Sequence, residues 1–337
     1  MDNMSCAKRL TRETVRTLLA SVDACLFDAD GVLWHDETPI EGGGETGGNI
    51  LCRGNYQEQS SIEFANEQAP FQGKRVAMTT NNSTKSRATY VQKCRRLGYD
   101  MFNETNIVTT STVLADYLRS RSFEKKVYLI GSTGIGDELE SNGIRHTGIG
   151  PDPQSVRALE ATTSDEVSRS PRHVLSSFQF DPEVGAVVVG FDGHFNYAKL
   201  AKAAVYLHDP NCLFVATNDD ETYPVLHNNV MHYLPGTGAI VAAVRTGSGR
   251  EPTILGKPHA PMFQFFRNLL HCEPHRLLMV GDRLNTDILW ATRQGMRSLA
   301  VLSGVASEPQ ITDPKLCAEL TPEFYTDSLA DVKRLMS

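Results

Sequence analysis

Apolar and polar positions along this chain switch repeatedly between a helical period and an unbroken, strand-like run. Val15, Leu18 and Leu19 recur at helical spacing, so a helix is expected over residues 11–19. Residues 23–27 then read as a short buried strand. A second β-type run at 76–80 precedes an amphipathic helix over 85–97, closed by Gly98. A helix at 112–118, a strand at 127–131 and a helix at 137–141 continue the alternation. Strands are expected at 184–191 and 213–217, with a helix at 197–208 between them. Thr237 reads as the N-cap of a helix running through 239–244. A short strand at 253–255, a helix at 262–270 and a clear strand at 277–282 follow. A helix at 288–294 and a last strand at 298–302 close the series. Strands alternating with helices of ~10 residues predict a parallel α/β sheet with right-handed crossovers. Active groups in such sheets collect beyond the carboxyl ends of the strands.

Two stretches break this pattern. Residues 41–73 open with Gly42, Gly43 and Gly44 and continue rich in Gln, Glu, Ser and Asn; residues 154–182 are again polar. Both read as surface insertions. Neither the first glycine cluster nor the string from Gly131 to Gly136 has the strand, glycine spacing and lysine of a nucleotide loop.

A length of 337 residues suggests two domains at ~150 residues each. The net charge of -7 and the lack of a dense Lys/Arg run argue against nucleic acid as a partner. An acidic chain that handles anions must build its own positive site from a metal, a lysine or helix N-termini. Seven scattered cysteines with no CxxC pair fit a reduced compartment better than a disulfide framework or a zinc site. With no apolar leader and no apolar run near ~18 residues, a cytoplasmic protein without a membrane partner is expected.

Four strand ends carry the chemistry. An apolar run from Cys25 ends in Asp28 and Asp30, followed by Gly31. Two carboxylates that close raise each other's pKa unless a cation or a function holds them. The second strand ends in Thr79-Thr80-Asn81-Asn82-Ser83, the short strand in Gly256-Lys257-Pro258, and the clear strand in Val280-Gly281-Asp282, with Asp287 beyond. Phosphoryl transfer needs an in-line nucleophile, cations for the equatorial oxygens and a group for the leaving-oxygen proton. Aspartate can attack through an aspartyl phosphate. A hard cation such as Mg²⁺ accepts carboxylate and backbone oxygens, and a lysine ammonium suits a phosphate beside a carboxylate.

In that order these motifs resemble the haloacid dehalogenase superfamily of phosphatases. More narrowly they resemble its 4-nitrophenylphosphatase, phosphoglycolate phosphatase and pyridoxal phosphate phosphatase family. The stretches are DADGVLW, TNNSTKSR, VVVGFD with HFNYAKL, PGTGAIVAAV, ILGKP and MVGDRLNTDI. The resemblance implies a Rossmann-like, doubly wound parallel-sheet core, residues 1–121 plus 251–337, with an inserted α/β cap at 122–250 that selects the substrate. It implies Asp28 as nucleophile and Asp30 as general acid and then base. Asp28, the Asp30 carbonyl and Asp282 would hold Mg²⁺, with Asp287 behind them orienting bound water. Thr80 and the Asn81 amide would bind phosphate with Lys257, and Asn82 would support them. Tyr223, in a cap loop at 217–224, stands where pyridoxal phosphate phosphatases carry a histidine. That departure favours phosphoglycolate or another small phosphorylated metabolite, with the vitamin ester or a phosphoprotein as alternatives, and a phosphate-sensing scaffold as the non-enzyme one. Relatives pair through the cap, so a homodimer is implied.

Each role has an ordinary competitor. Asp282 could belong to an Asp-Arg turn, Asp287 could cap the next helix, and Lys257 could be a solvated loop residue. The groups His271/Cys272/His275 and His227/His232 lack metal-ligand spacing and read as surface or packing residues.

Overall fold

The computed structural model describes residues 7–40, 73–152, 175–176, 178–228 and 230–337. The expected insertions at 41–73 and 154–182 lie outside these residues, apart from Gly73, 175–176 and 178–182. The chain divides into two compact units. One comprises Met1–Thr80, Arg87–Thr109 and Lys257–Ser337, the other Asn81–Ser86 and Thr110–Gly256. The sequence reading sets its divisions instead after residues 121 and 250.

The first unit is built on a seven-stranded sheet in the order Lys8–Arg9, Phe324–Thr326, Arg297–Val301, Leu277–Gly281, Ala24–Asp28, Arg75–Thr80, Ile107–Thr109. Every ladder in it is parallel. Its central strands are buried nearly throughout, which is why they read as unbroken apolar runs with no period of two. Phe27 pairs with Met78 on one side and Val280 on the other. Asp28, Thr80 and Gly281 therefore end three adjacent strands at one edge. The helix Arg12–Ala20 starts at Thr11, whose hydroxyl accepts the Thr14 amide at 3.2 Å, and it buries Val15, Leu18 and Leu19. Those residues share a core with Phe27, Trp34, Tyr90, Tyr99 and Phe102.

The parallel α/β architecture agrees with the sequence reading, but the strand series does not end at 302. Phe324–Thr326 and Lys8–Arg9 extend the sheet at one edge and Ile107–Thr109 at the other. These two- and three-residue strands are too short to display a period. The expected helix at 288–294 begins as a wide turn over Leu284–Ile288 and becomes α-helical over Leu289–Gln294.

The second unit holds a five-stranded parallel sheet in the order Thr253–Ile254, Leu213–Ala216, Val184–Val189, Lys126–Ile130, His146–Thr147. Helices described in it include Thr110–Arg119, Thr133–Ser141, Tyr197–Tyr206 and Thr237–Ser248. An antiparallel hairpin pairs Thr222–His227 with Val230–Pro235. Tyr223 thus sits on a strand and not in the expected loop. Thr237 is the first helical residue and not the cap; Gly236 occupies the cap. A side chain at 236 would run into the Asp220 carbonyl, which leaves glycine for that place. Gly134, from the glycine string after Ile130, abuts the backbone of Thr84 and Lys85. Among the described residues no helix is long and apolar enough to cross a membrane.

Candidate active site

Asp28 closes the central strand with its side chain 13% exposed, and the Lys257 ammonium lies 2.6 Å from its Oδ1. The same ammonium lies 2.7 Å from Asp287 Oδ1. Lys257 is therefore no solvated loop residue; it is buried between two carboxylates. Burial opposes its charge, but Asp28 and Asp287 outweigh that penalty and raise its pKa above the ordinary lysine value. Asp28, by contrast, is driven toward its neutral form. Burial raises its pKa well above the usual carboxylate range, Asp287 and Asp282 add to this, and Lys257 offsets part of it.

Asp282 follows the Leu277–Gly281 strand, fully buried. Its Oδ2 accepts the Val305 amide at 2.8 Å, while its Oδ1 is buried without a hydrogen-bond partner among the described residues. Burial, joined by the charge of Asp287, pushes its pKa up to about 7. Gly31 and Gly304 press against this carboxylate, and Gly281 presses against Asp287; a β-carbon at any of the three would collide with an aspartate. Gly31 also has φ +86, a conformation that favours glycine. Asp287 spends both its oxygens. Oδ1 takes Lys257, and Oδ2 accepts the amides of Asp282 at 3.2 Å and Arg283 at 3.1 Å. Those amides precede it in the chain, so its carboxylate does not cap the following helix.

One ligand oxygen each from Asp28, Asp282 and Asp287 lies within 4.8 Å of the others, and this is the candidate metal group among the described residues. One ammonium faces three buried carboxylates, so bound protons or a further cation must balance them. The orphaned Asp282 Oδ1 and an all-oxygen donor set suit a hard divalent ion. The carboxylate of Asp30 stands apart from that group, exposed, and its Oδ1 accepts the Trp34 indole N–H at 2.9 Å. Thr80 is buried and hydrogen-bonded through its side chain to Tyr90.

Asn81, Asn82 and Tyr223 belong to the second unit. Asn81 donates its side-chain amide to Asp220 at 2.9 Å, and Asn218 donates to the same Asp220 oxygen at 2.6 Å. Asn82 Oδ1 accepts the Thr84 amide at 3.0 Å, which shapes the turn. Tyr223 meets the Phe191 ring edge-on at 5.6 Å. His227 and His232 face each other across the hairpin at 6.3 Å, and His271 ends the Ala260–Leu270 helix; among the described residues neither set joins a metal group. Gly304, the Val305 amide and Trp34's bond to Asp30 are absent from the sequence reading. Of these, the tryptophan four residues after Asp30 was open to inspection.

Comparison with known proteins converges on one family. Residues 25–145 match the family described as haloacid dehalogenase-like hydrolase, and residues 254–332 match the one described as HAD-hydrolase-like. The chain is 36% identical to glycerol-3-phosphate phosphatase of Rattus norvegicus, over 98% of this chain and 96% of that one. It is also 36% identical to phosphoglycolate phosphatase 2 of Arabidopsis thaliana, over 97% of each. The crystal structure of a 4-nitrophenylphosphatase from Thermotoga maritima superposes with TM-score 0.68 at 22% identity, covering 95% of this chain and 99% of that one. A glycerol phosphate phosphatase from Mycobacterium tuberculosis, crystallised in complex with magnesium, gives TM-score 0.66 at 23% identity, covering 94% and 78%. At those identities the two structures are alike in fold.

Proposed function

This chain belongs to the haloacid dehalogenase-like hydrolases and is a phosphomonoester hydrolase, and we propose that it cleaves small phosphorylated metabolites through an aspartyl phosphate on Asp28. The observation that carries the reading is the buried Asp28/Asp282/Asp287 group with Lys257 bonded to two of its members.

In the proposed sequence an Asp28 oxygen attacks phosphorus and the ester P–O bond breaks. Lys257 offsets part of the burial penalty on the attacking carboxylate and balances charge on the phosphoryl oxygens. Asp30 gives its proton to the departing alkoxide, then takes one from the water that cleaves the acyl phosphate. Thr80 and the Asn81 amide hold the phosphoryl group, with Asn82 shaping their turn. Asp28, Asp282 and the Asp30 carbonyl would hold magnesium, and Asp287 would stand behind them to orient bound water. Bound there, magnesium neutralises charge on the phosphoryl oxygens and on the crowded carboxylates. The inserted segment, residues 122–250, serves as the substrate-selecting domain, with Tyr223 as its specificity residue.

Phosphoglycolate and glycerol 3-phosphate are the substrates expected, because equally similar relatives carry those names. Phosphate release from both esters and from 4-nitrophenyl phosphate, with and without magnesium, tests the reading. Absence of turnover on all three with metal present would overturn it. A homodimer is the expected assembly, formed on the hairpin, where Val230, Met231, Tyr233 and Leu234 are all exposed. Sedimentation of Met231→Glu against wild type tests this, with a shift to monomer expected.

A further inference from the structure

Asp30 is aimed by a residue that the chemistry above does not use. The Trp34 indole N–H donates to its Oδ1 at 2.9 Å, although Asp30 is exposed and Trp34 is fully buried. The loop between them is closed by main-chain bonds as well. The Gly31 amide donates to the Trp34 carbonyl at 2.8 Å, and the Trp34 amide donates to the Ala29 carbonyl. The indole itself is clamped. Tyr90 stacks on it at 6.5 Å and 19°, Tyr99 meets it edge-on at 5.8 Å, and the Lys93 ammonium lies 4.4 Å from its centroid. Tyr90 and Lys93 stand three apart on the helix Arg87–Arg96, so one helix face supplies both. The Lys93 side chain is 4% exposed, with the Glu37 carboxylate 4.0 Å away. An ammonium over an aromatic face draws on the ring's π-electrons, and that polarisation strengthens the N–H as a donor.

We propose that Trp34 is the positioning residue for proton transfer by Asp30, with Lys93 reinforcing it; this rests on the phosphatase reading above. An indole nitrogen donates and never accepts. Oδ1 is therefore committed as an acceptor in both protonation states, and the mobile proton belongs to Oδ2. When the ester P–O bond breaks, the Oδ2 proton passes to the leaving oxygen. The carboxylate left behind keeps the Trp34 bond, and Oδ2 later recovers a proton from the attacking water. The same clamp reaches the phosphate side, because Tyr90 is hydrogen-bonded to Thr80. A single aromatic cluster thereby sets the proton donor and the phosphate-binding threonine relative to each other.

Leaving-group dependence separates this role from simple packing. Glycerolate is a basic leaving group that needs a proton; 4-nitrophenolate is not. kcat/KM reports the first chemical step, so it is measured for glycerol 3-phosphate and 4-nitrophenyl phosphate with magnesium. In Trp34→Phe, kcat/KM for the alkyl ester is expected to fall ~10-fold or more, with a several-fold smaller loss for the aryl ester. Replacing Trp34 by benzothienylalanine, which keeps the bicyclic shape and lacks the N–H, is expected to reproduce that selectivity without a change in thermal midpoint. Lys93→Met is expected to show the same selectivity to a lesser degree. Equal losses on both esters in the benzothienylalanine protein, or no loss on the alkyl ester, would overturn the proposal. A wild-type protein inert toward both esters would instead overturn the phosphatase reading.

Discussion

The Asp287 carboxylate accepts the main-chain amide of Asp282 through Oδ2 at 3.2 Å. The more deeply engaged acid thus fixes the backbone from which the other reaches the cation site. With its Oδ1 on Lys257, Asp287 links the lysine to Asp282, the proposed metal ligand. Asp287→Asn is expected to weaken magnesium binding by ~10–100-fold while leaving much of kcat at saturating metal. The magnesium concentration for half-maximal phosphate release measures it.

Asp28→Asn removes the proposed attacking oxygen but keeps the shape of the strand end. Turnover is expected to fall by ~10³-fold or more, with the thermal midpoint little changed. Single-turnover reactions quenched in acid check the step directly. Protein-bound phosphate accumulates in the wild type and is absent from the variant.

A methyl group at position 304 would collide with the Asp282 carboxylate. Gly304→Ala is therefore expected to act as a metal-site mutation although glycine offers no ligand. The half-saturating magnesium concentration should rise, and folded stability should drop by ~1–3 kcal/mol, a usual cost of overpacking. A variant with unchanged magnesium dependence would contradict this.

The pH dependence of the metal-free protein follows from Asp282. Its carboxyl has an ordinary value of 3.8 and is pushed to about 7 in the folded chain. Between those values the unfolded chain has released a proton that the folded chain still holds, so stability from this group falls as pH rises through the window. A divalent ion replaces the proton as the partner of the carboxylate. Magnesium is thus expected to raise the thermal midpoint more near ~pH 8 than near ~pH 5, and Asp282→Asn is expected to lose most of that difference. Melting curves in chelator and in magnesium measure it.

The sheet was legible because its central strands are buried on both faces and end abruptly in polar groups, as Leu26-Phe27-Asp28 does. The hairpin was harder. Val230–Pro235 is exposed along its length, so no buried face imposes an apolar alternation. Its turn did leave a mark: Asn228 has φ 50 beside a second asparagine, a residue type suited to that conformation. The final helix Leu329–Met336 also had a local signal, the Ser328 to Asp331 capping box. Motif order pointed to Asp28, Lys257, Asp282 and Asp287, and the structure gathers these four in one unit. The tight approach of Gly31, Gly281 and Gly304 was not legible, because it depends on segments distant in sequence meeting at one carboxylate.

Asp28 and Lys257 are separated by 229 positions along the chain. The strand Leu277–Gly281, which pairs directly with Ala24–Asp28, is encoded later still. On a ribosome adding ~5–20 residues per second, the strand that ends in Asp28 waits roughly 10–50 s for its counter-ion and its neighbour. Every strand of the inserted unit is synthesised within that interval. Vectorial synthesis therefore delivers the inserted unit before the core can close, and a nascent chain ending before Lys257 carries Asp28 without the ammonium that bonds it.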